Sequence, residues 1–201
     1  MYKSKEIVIG IQGGKGSFNE QAVNDYITHY GSSEIDYQVI YLYTTEKVFK
    51  ALNDGEIDMG QFAMHNSVGG IVHESLYAIA NNIFEIVKDF DIKISHHMMI
   101  RRDVTPDKVK IFMTHPQVIK QCKGNLKRYC SGLKIISGDG DLIDHSKVAE
   151  ALADGEIEPT IGVIGPSVLA DLYDLHIIRK DLQDSDQNFT NFLVVKKKVV
   201  T

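Results

Sequence analysis

The sequence predicts an α/β protein of two similar lobes, and three observations carry that prediction. Short apolar runs alternate with helix-like segments, the rhythm of strands joined by crossover helices. The stretch Lys47-Val48-x-x-Ala51-Leu52-x-Asp54-Gly55-Glu56-Ile57 returns one hundred residues later as Lys147-Val148-x-x-Ala151-Leu152-x-Asp154-Gly155-Glu156-Ile157. The length of 201 residues, 43% of them hydrophobic, suits one two-lobed domain or two small ones, since a chain of this size buries roughly 70% of the surface it exposes when unfolded.

The elements follow in order. Ile7-Val8-Ile9-Gly10-Ile11 is a buried strand, Gly13-Gly14-Lys15-Gly16 turns it, and Asn19 to Tyr30 reads as a helix. A second helix runs from Thr45 to Asn53 with Asp54-Gly55 as its stop, because glycine accepts the left-handed conformation without steric cost. The strand Ile57 to Met64 follows, and His65-Asn66-Ser67 is the polar turn after it. In the second copy of the pattern, Gly165-Pro166-Ser167 holds the corresponding place. Chance similarity of two helix-strand units is the plain alternative; the other is a bilobal binding-protein architecture with a ligand cleft between its lobes. In open α/β sheets the loops at the carboxyl ends of strands line the crevice. Gly13 to Ser17, His65 to Gly70 and the loop near Thr114 are then the candidates to face it.

Several classes are excluded. With 22 Lys+Arg against 27 Asp+Glu the net charge is −5, and no concentrated basic face is available for nucleic acid. The longest basic run, Lys196-Lys197-Lys198, reads as a solvated tail. No apolar stretch approaches the roughly 20 residues of a membrane-spanning helix, and the start Met1-Tyr2-Lys3-Ser4-Lys5-Glu6 does not read as a secretion signal. A cytoplasmic location follows by default, and Cys122 and Cys130, eight apart in one helical segment, suit reduced thiols.

Each motif has a plain reading beside its functional one. The glycine turn fails the P-loop test, which requires glycine where Ile9 stands and Ser or Thr where Gly16 stands. It can hold a carboxylate through backbone N–H groups at a helix start, or it is simply a tight turn. The eight histidines show no metal-ligand spacing; His96-His97 would point to opposite faces of a strand. Neither a metal nor a cofactor is expected. Thr114-His115-Pro116-Gln117 precedes a helix carrying Gln121, so the threonine is expected as its cap and the proline in its first turn.

Four segments in order resemble one family. Gly13-Gly14-Lys15-Gly16-Ser17-Phe18-Asn19-Glu20-Gln21-Ala22 resembles the opening Gly-Pro-x-Gly-Thr-x-Ser-x-x-Ala of prephenate dehydratases. His65-Asn66-Ser67-Val68-Gly69-Gly70 is similar to their Glu-Asn-Ser-x-x-Gly, Thr114 to Cys122 to their Ser-His-Pro-Gln-x-x-x-Gln-Cys, and Asn188-Phe189-Thr190-Asn191-Phe192 to their Asn-x-Thr-Arg-Phe. The resemblance implies a two-lobed, periplasmic-binding-protein-like (type 2) fold with prephenate in the interlobe cleft. Lobe 1 is expected at about 1–95 plus 180–201 and lobe 2 at about 96–179. It also implies a homodimer. The family's C-terminal phenylalanine-binding domain is not expected, since the chain ends about nine residues after Phe192.

By the same resemblance Thr190 is the catalytic threonine. Ser17, Asn66, Ser67, Gly70, Thr114, Gln117, Gln121, Asn191 and Phe192 are expected to bind substrate. The main departures are His65 in place of the family's Glu and Asn191 in place of its Arg. Both are polar residues of the dehydratase motifs, and loss of a ring hydroxyl needs a proton donor or strong hydrogen bonds at the leaving oxygen. The expectation is therefore a lyase acting on prephenate, with a non-aromatising decarboxylase favoured and His65 as its proton donor or relay. A dehydratase forming phenylpyruvate is the alternative, and a non-catalytic binding protein for a small carboxylate the second alternative. An antibiotic pathway would fit decarboxylation, and phenylalanine synthesis would fit dehydration.

Overall fold

The computed structural model describes residues 5–198. Met1 to Ser4, part of the start read above for a secretion signal, lie outside them. The chain divides into two units, Met1–Ile92 with Phe189–Thr201, and Lys93–Asn188.

The first unit opens with β1 (Lys5–Ile11), α1 (Phe18–Tyr30), β2 (Ile35–Tyr41), α2 (Thr45–Asp54), β3 (Met59–Asn66), β4 (Gly70–Ile71), α3 (His73–Ala80) and β5 (Phe84–Lys93). The second contains β6 (His97–Arg101), β7 (Ile111–Met113), α4 (Pro116–Gln121), α5 (Lys123–Tyr129), β8 (Lys134–Ile136), α6 (His145–Ala153), β9 (Ile161–Gly165), α7 (Val168–Leu172) and β10 (Leu175–Arg179). The strand β11 (Phe189–Lys197) returns to the first.

The two sheets share a plan. In the first unit the strand order is β2-β1-β3-β11-β5, with β4 on β3; β1 is parallel to β2 and β3, and β11 is antiparallel to β3. In the second the order is β10-β6-β9-β7-β8; β7 is parallel to β8 and β9, and β6 is antiparallel to β9. Three parallel strands followed by an antiparallel one thus occur twice, and the sequence echo marks the same helix and strand in each copy. Its glycines do the same job: Gly55 has φ 77° and Gly155 φ 75°. Glu56 N donates to Ala51 O and Glu156 N to Ala151 O, both at 2.9 Å. These are the six-to-one bonds that satisfy a helix's last carbonyls.

Each helix layer covers its sheet with apolar side chains. Val48, Phe49 and Leu52 of α2 pack on Phe62, Leu193 and Val195, and Val148, Ala149 and Leu152 of α6 pack on Met99 and Val163. The other face of the first sheet carries an aromatic chain, Tyr26 on Phe90 and Phe90 on Phe192, with centroids 6.1 Å apart in both pairs.

Several expectations are corrected. Residues 93–95 and 180–188, placed in the first lobe by sequence, belong to the second unit. Hydrogen bonds hold them there: Ile94 N to Asn188 O, Leu182 N to His96 O and Asp184 N to Gln121 O, each 2.8 Å. The basic run is no free tail. Lys196 and Lys197 finish β11, with Lys196 Nζ 2.9 Å from Glu85 Oε1 and Lys197 Nζ donating to Asn53 O at 2.6 Å. The segment around the cysteines is two short helices that break at Cys122. Both thiols are free and buried, and burial pushes that of Cys122 up to about 12.

Candidate active site

His65 and Asn66 were expected in a turn, but β3 extends through both because β11 and β4 pair with them on either side. Asn66 lies opposite Thr190 and His65 opposite Asn191; the next pair is Ala63 with Phe192, so Met64 has no partner in β11. This bulge changes the parity of β3. Side chains alternate along a strand, so Thr190 shares the Phe192 face of β11, while Asn191 shares the face of Leu193 and Val195. Asn66 then faces with Thr190, and His65 with Asn191.

Asn66, 5% exposed, is engaged on all sides. Its Nδ2 donates to Thr190 Oγ1 at 2.9 Å and to Phe189 O at 3.1 Å. Its Oδ1 accepts from Val68 N at 3.0 Å and Gly69 N at 2.6 Å, folding the turn that Gly70 closes at φ 81°. Ser67 ties this turn to β11, donating its N–H to Phe189 O at 2.8 Å and accepting Phe189 N on Oγ at 2.9 Å. An amide nitrogen only donates, so Thr190 Oγ1 is the acceptor and its own proton is left for another partner.

On the opposite face His65 is exposed, and Asn191 Nδ2 donates to Asp89 Oδ1 at 2.5 Å. Neither meets Thr190 from that face. Phe192, expected to touch substrate, is 1% exposed and stacked in the core against Phe90, so the tight β11 packing removes it from any lining role.

The glycine turn serves α1. Ser17 is its N-cap, with Oγ accepting from Glu20 N at 3.3 Å, and Glu20 Oε2 accepts Gly16 N at 2.6 Å. The chain's own carboxylate therefore occupies one amide, that of Gly16, in the turn read for an outside anion. Ser17-x-x-Glu20 is a capping-box spacing legible in the sequence. Next to the turn, Gln12 Oε1 accepts from Ala63 N at 3.1 Å, continuing the ladder where β1 has ended, and its Nε2 donates to Glu74 Oε2 at 3.2 Å.

In the second unit the cap of α4 is His115, not Thr114. His115 Nδ1 accepts from Gln117 N at 3.1 Å, while Thr114 is fully buried and donates its hydroxyl to Ile164 O at 2.6 Å. That bond ties β7 to β9 and withdraws the Thr114 proton from ligand duty. Gln117, in the first turn, keeps a buried Oε1 with no partner among the described residues. Gln121, at the other end of α4, accepts from His96 Nε2 at 2.6 Å and from Asn188 Nδ2 at 2.9 Å on its Oε1. Burial lowers His96 to about 3 and His115 to about 4, and it also lowers His145, which packs on Gly165. These rings are neutral near pH 7.

His96, Asn188 and Gln12 were not singled out by sequence reasoning. Asn188 heads the Asn-x-Thr motif, which was a usable signal. His96 stood in an adjacent pair and was given no role, and Gln12 carried no signal at all. Among the described residues no group of three or more His, Cys, Asp or Glu side chains is placed to hold a metal ion, and no helix is long and apolar enough to cross a membrane.

The comparisons with known proteins converge. The family model described as prephenate dehydratase matches residues 9–200. A prephenate dehydratase of Methanocaldococcus jannaschii is 26% identical over 187 residues, covering 92% of this chain and 63% of its own length. The solved prephenate dehydratase of Arthrobacter aurescens in complex with L-Phe superposes with a TM-score of 0.79 at 20% identity, covering 96% of this chain and 61% of that one. A putative methionine-binding lipoprotein of Bacillus subtilis shares the two-lobed fold at a TM-score of 0.52 and 12% identity, over 96% of this chain and 84% of its own. The chain thus spans less than two thirds of the two dehydratases. From its first buried strand to its last the sequence follows a single family model, and the chain belongs to the prephenate dehydratase family.

Proposed function

We propose that this chain is a lyase acting on prephenate, and that it works as a dehydratase, releasing carbon dioxide and the ring hydroxyl together to form phenylpyruvate. The observation that carries the reading is the division of β3 and β11 into two faces. The Asn66–Thr190 pair is intact on one, and the two departures, His65 and Asn191, share the other. The preference for decarboxylation drawn from those departures is therefore reversed.

The chemistry follows from the hydrogen bonds. Aromatisation drives the step, and the barrier lies in letting hydroxide depart. Thr190 Oγ1 is fixed as an acceptor by Asn66, so its proton is directed to the leaving oxygen. Asn66 is itself immobilised by four hydrogen bonds, so little reorganisation is needed during reaction. On the second unit, Gln117 and Gln121 are the side chains proposed to meet substrate. Ser67 and Gly70 shape the Asn66 turn, and Ser17 holds α1. A place in aromatic amino acid biosynthesis, a cytoplasmic location and a homodimeric assembly belong to the same proposal.

Incubation of the purified chain with prephenate tests it. Phenylpyruvate, identified by ultraviolet spectrum and mass, is the expected product. Asn66→Leu should reduce kcat by about 10²–10³-fold, the scale for losing a preorganised donor. His65→Glu combined with Asn191→Arg should leave the product unchanged. A dihydro-hydroxyphenylpyruvate would establish the decarboxylase instead, and bound but unchanged prephenate would establish a binding protein.

A further inference from the structure

Three buried polar side chains of the second unit meet at one atom. Gln121 Oε1 accepts from His96 Nε2 at 2.6 Å and from Asn188 Nδ2 at 2.9 Å, and a carbonyl oxygen has two lone pairs, so both are filled. Turning the amide over would set its NH2 group against two donors. The Gln121 amide is thus locked one way round, and its Nε2 is the polar group left to meet a ligand, as a donor only.

The clamp is held by its own backbone. His96 N donates to Gln183 Oε1 at 3.0 Å, His96 O accepts from Leu182 N at 2.8 Å, and Asn188 O accepts from Ile94 N at 2.8 Å. The 94–96 and 182–188 segments are therefore laced together beside α4, and Asp184 N donates to Gln121 O at 2.8 Å. His96 is 1% exposed. Burial keeps such a ring neutral, and facing a carbonyl oxygen that can only accept, it carries its proton on Nε2.

We infer that His96 is a positioning residue: with Asn188 it fixes the Gln121 amide so that the Nε2 hydrogens are presented to a negatively charged or departing oxygen of the substrate. The identity of that substrate rests on the dehydratase reading above, whereas the orientation of the amide does not.

Two measurements on the full chain test the inference. In nitrogen-15 NMR of histidine-labelled protein, His96 should show a protonated Nε2, and Gln121→Leu should move that resonance. In steady-state kinetics with prephenate, His96→Leu should lower kcat by about tenfold or more with a much smaller change in KM. Gln121→Leu should match it, and the double variant should be no slower than the slower single, the signature of residues acting as one unit. His96→Gln, whose amide N–H can reach the same acceptor, should recover most of the rate. A proton on Nδ1, an Nε2 resonance indifferent to Gln121→Leu, or a His96→Gln variant as slow as His96→Leu overturns the inference. A wild-type chain inert toward prephenate overturns the dehydratase reading instead, and the NMR result then decides the amide's orientation by itself.

Discussion

Moving the protein from pH 7 to pH 5 should loosen its second unit by about 4 kcal/mol through His96 and His115 alone. Burial holds these rings at about 3 and about 4 in the folded state, against 6.5 when free. Below 6.5 the unfolded chain takes up a proton on each ring and the folded chain does not. Stability therefore falls as pH drops through 6.5, continues to fall to the folded value of each ring, and is not regained below it. The slope is about 1.4 kcal/mol per pH unit for each histidine, so the stretch from 6.5 to 5 costs about 2 kcal/mol apiece. His97 and His145, also lowered by burial, act in the same direction. Amide exchange in β6, β7 and β9, corrected for its intrinsic pH dependence, reads the opening free energy of this unit separately from the first. His96→Gln should remove about 2 kcal/mol of the difference between the two pH values. A His96→Gln variant with the same pH sensitivity as the wild type would refute the assignment of a neutral buried ring.

Two further substitutions test the packing. Gly55→Ala and Gly155→Ala should each cost about 1–2 kcal/mol in urea unfolding, and by similar amounts. Each sits at positive φ with nothing within 4 Å of the added methyl, so backbone strain is the whole effect; a cost at one position alone would contradict the repeated helix stop. Gln12→Leu should cost about 1–3 kcal/mol by stranding Ala63 N, and amide exchange at Ala63 should accelerate.

The two-lobed plan was legible because it rests on patterns that local sequence carries: apolar periodicity, a glycine after each echo helix, and the spacing Lys-Val-x-x-Ala-Leu. The order of the motifs was likewise sufficient to bring Asn66 and Thr190 into one account. What escaped was non-local. The departure of Thr114 from its expected cap depends on Ile164, fifty residues away, whose carbonyl takes the hydroxyl proton. The burial of Phe192 depends on Phe90, and the clamp on Gln121 joins positions 96 and 188. The extent of lobe 2 depended on the same hydrogen bonds, which draw 180–188 toward 94–96. The glycine turn shows a different kind of omission, since Glu20 takes the Gly16 amide. Glu20, three residues beyond the cap, was visible in the sequence but was not weighed as a competing anion.

Met64 gives the last consequence. Alternation along β3 sets the side chains of the neighbours His65 and Asn66 on opposite faces, and the unmatched Met64 decides which earlier residues of the strand share each face. A comparison that treats Glu-Asn-Ser as one indivisible signature would count the exchange at position 65 as damage to the reacting centre. In the folded sheet position 65 lies opposite Asn191, on the face away from the Asn66–Thr190 hydrogen bond. Family membership and altered letters meet in one strand that presents two surfaces.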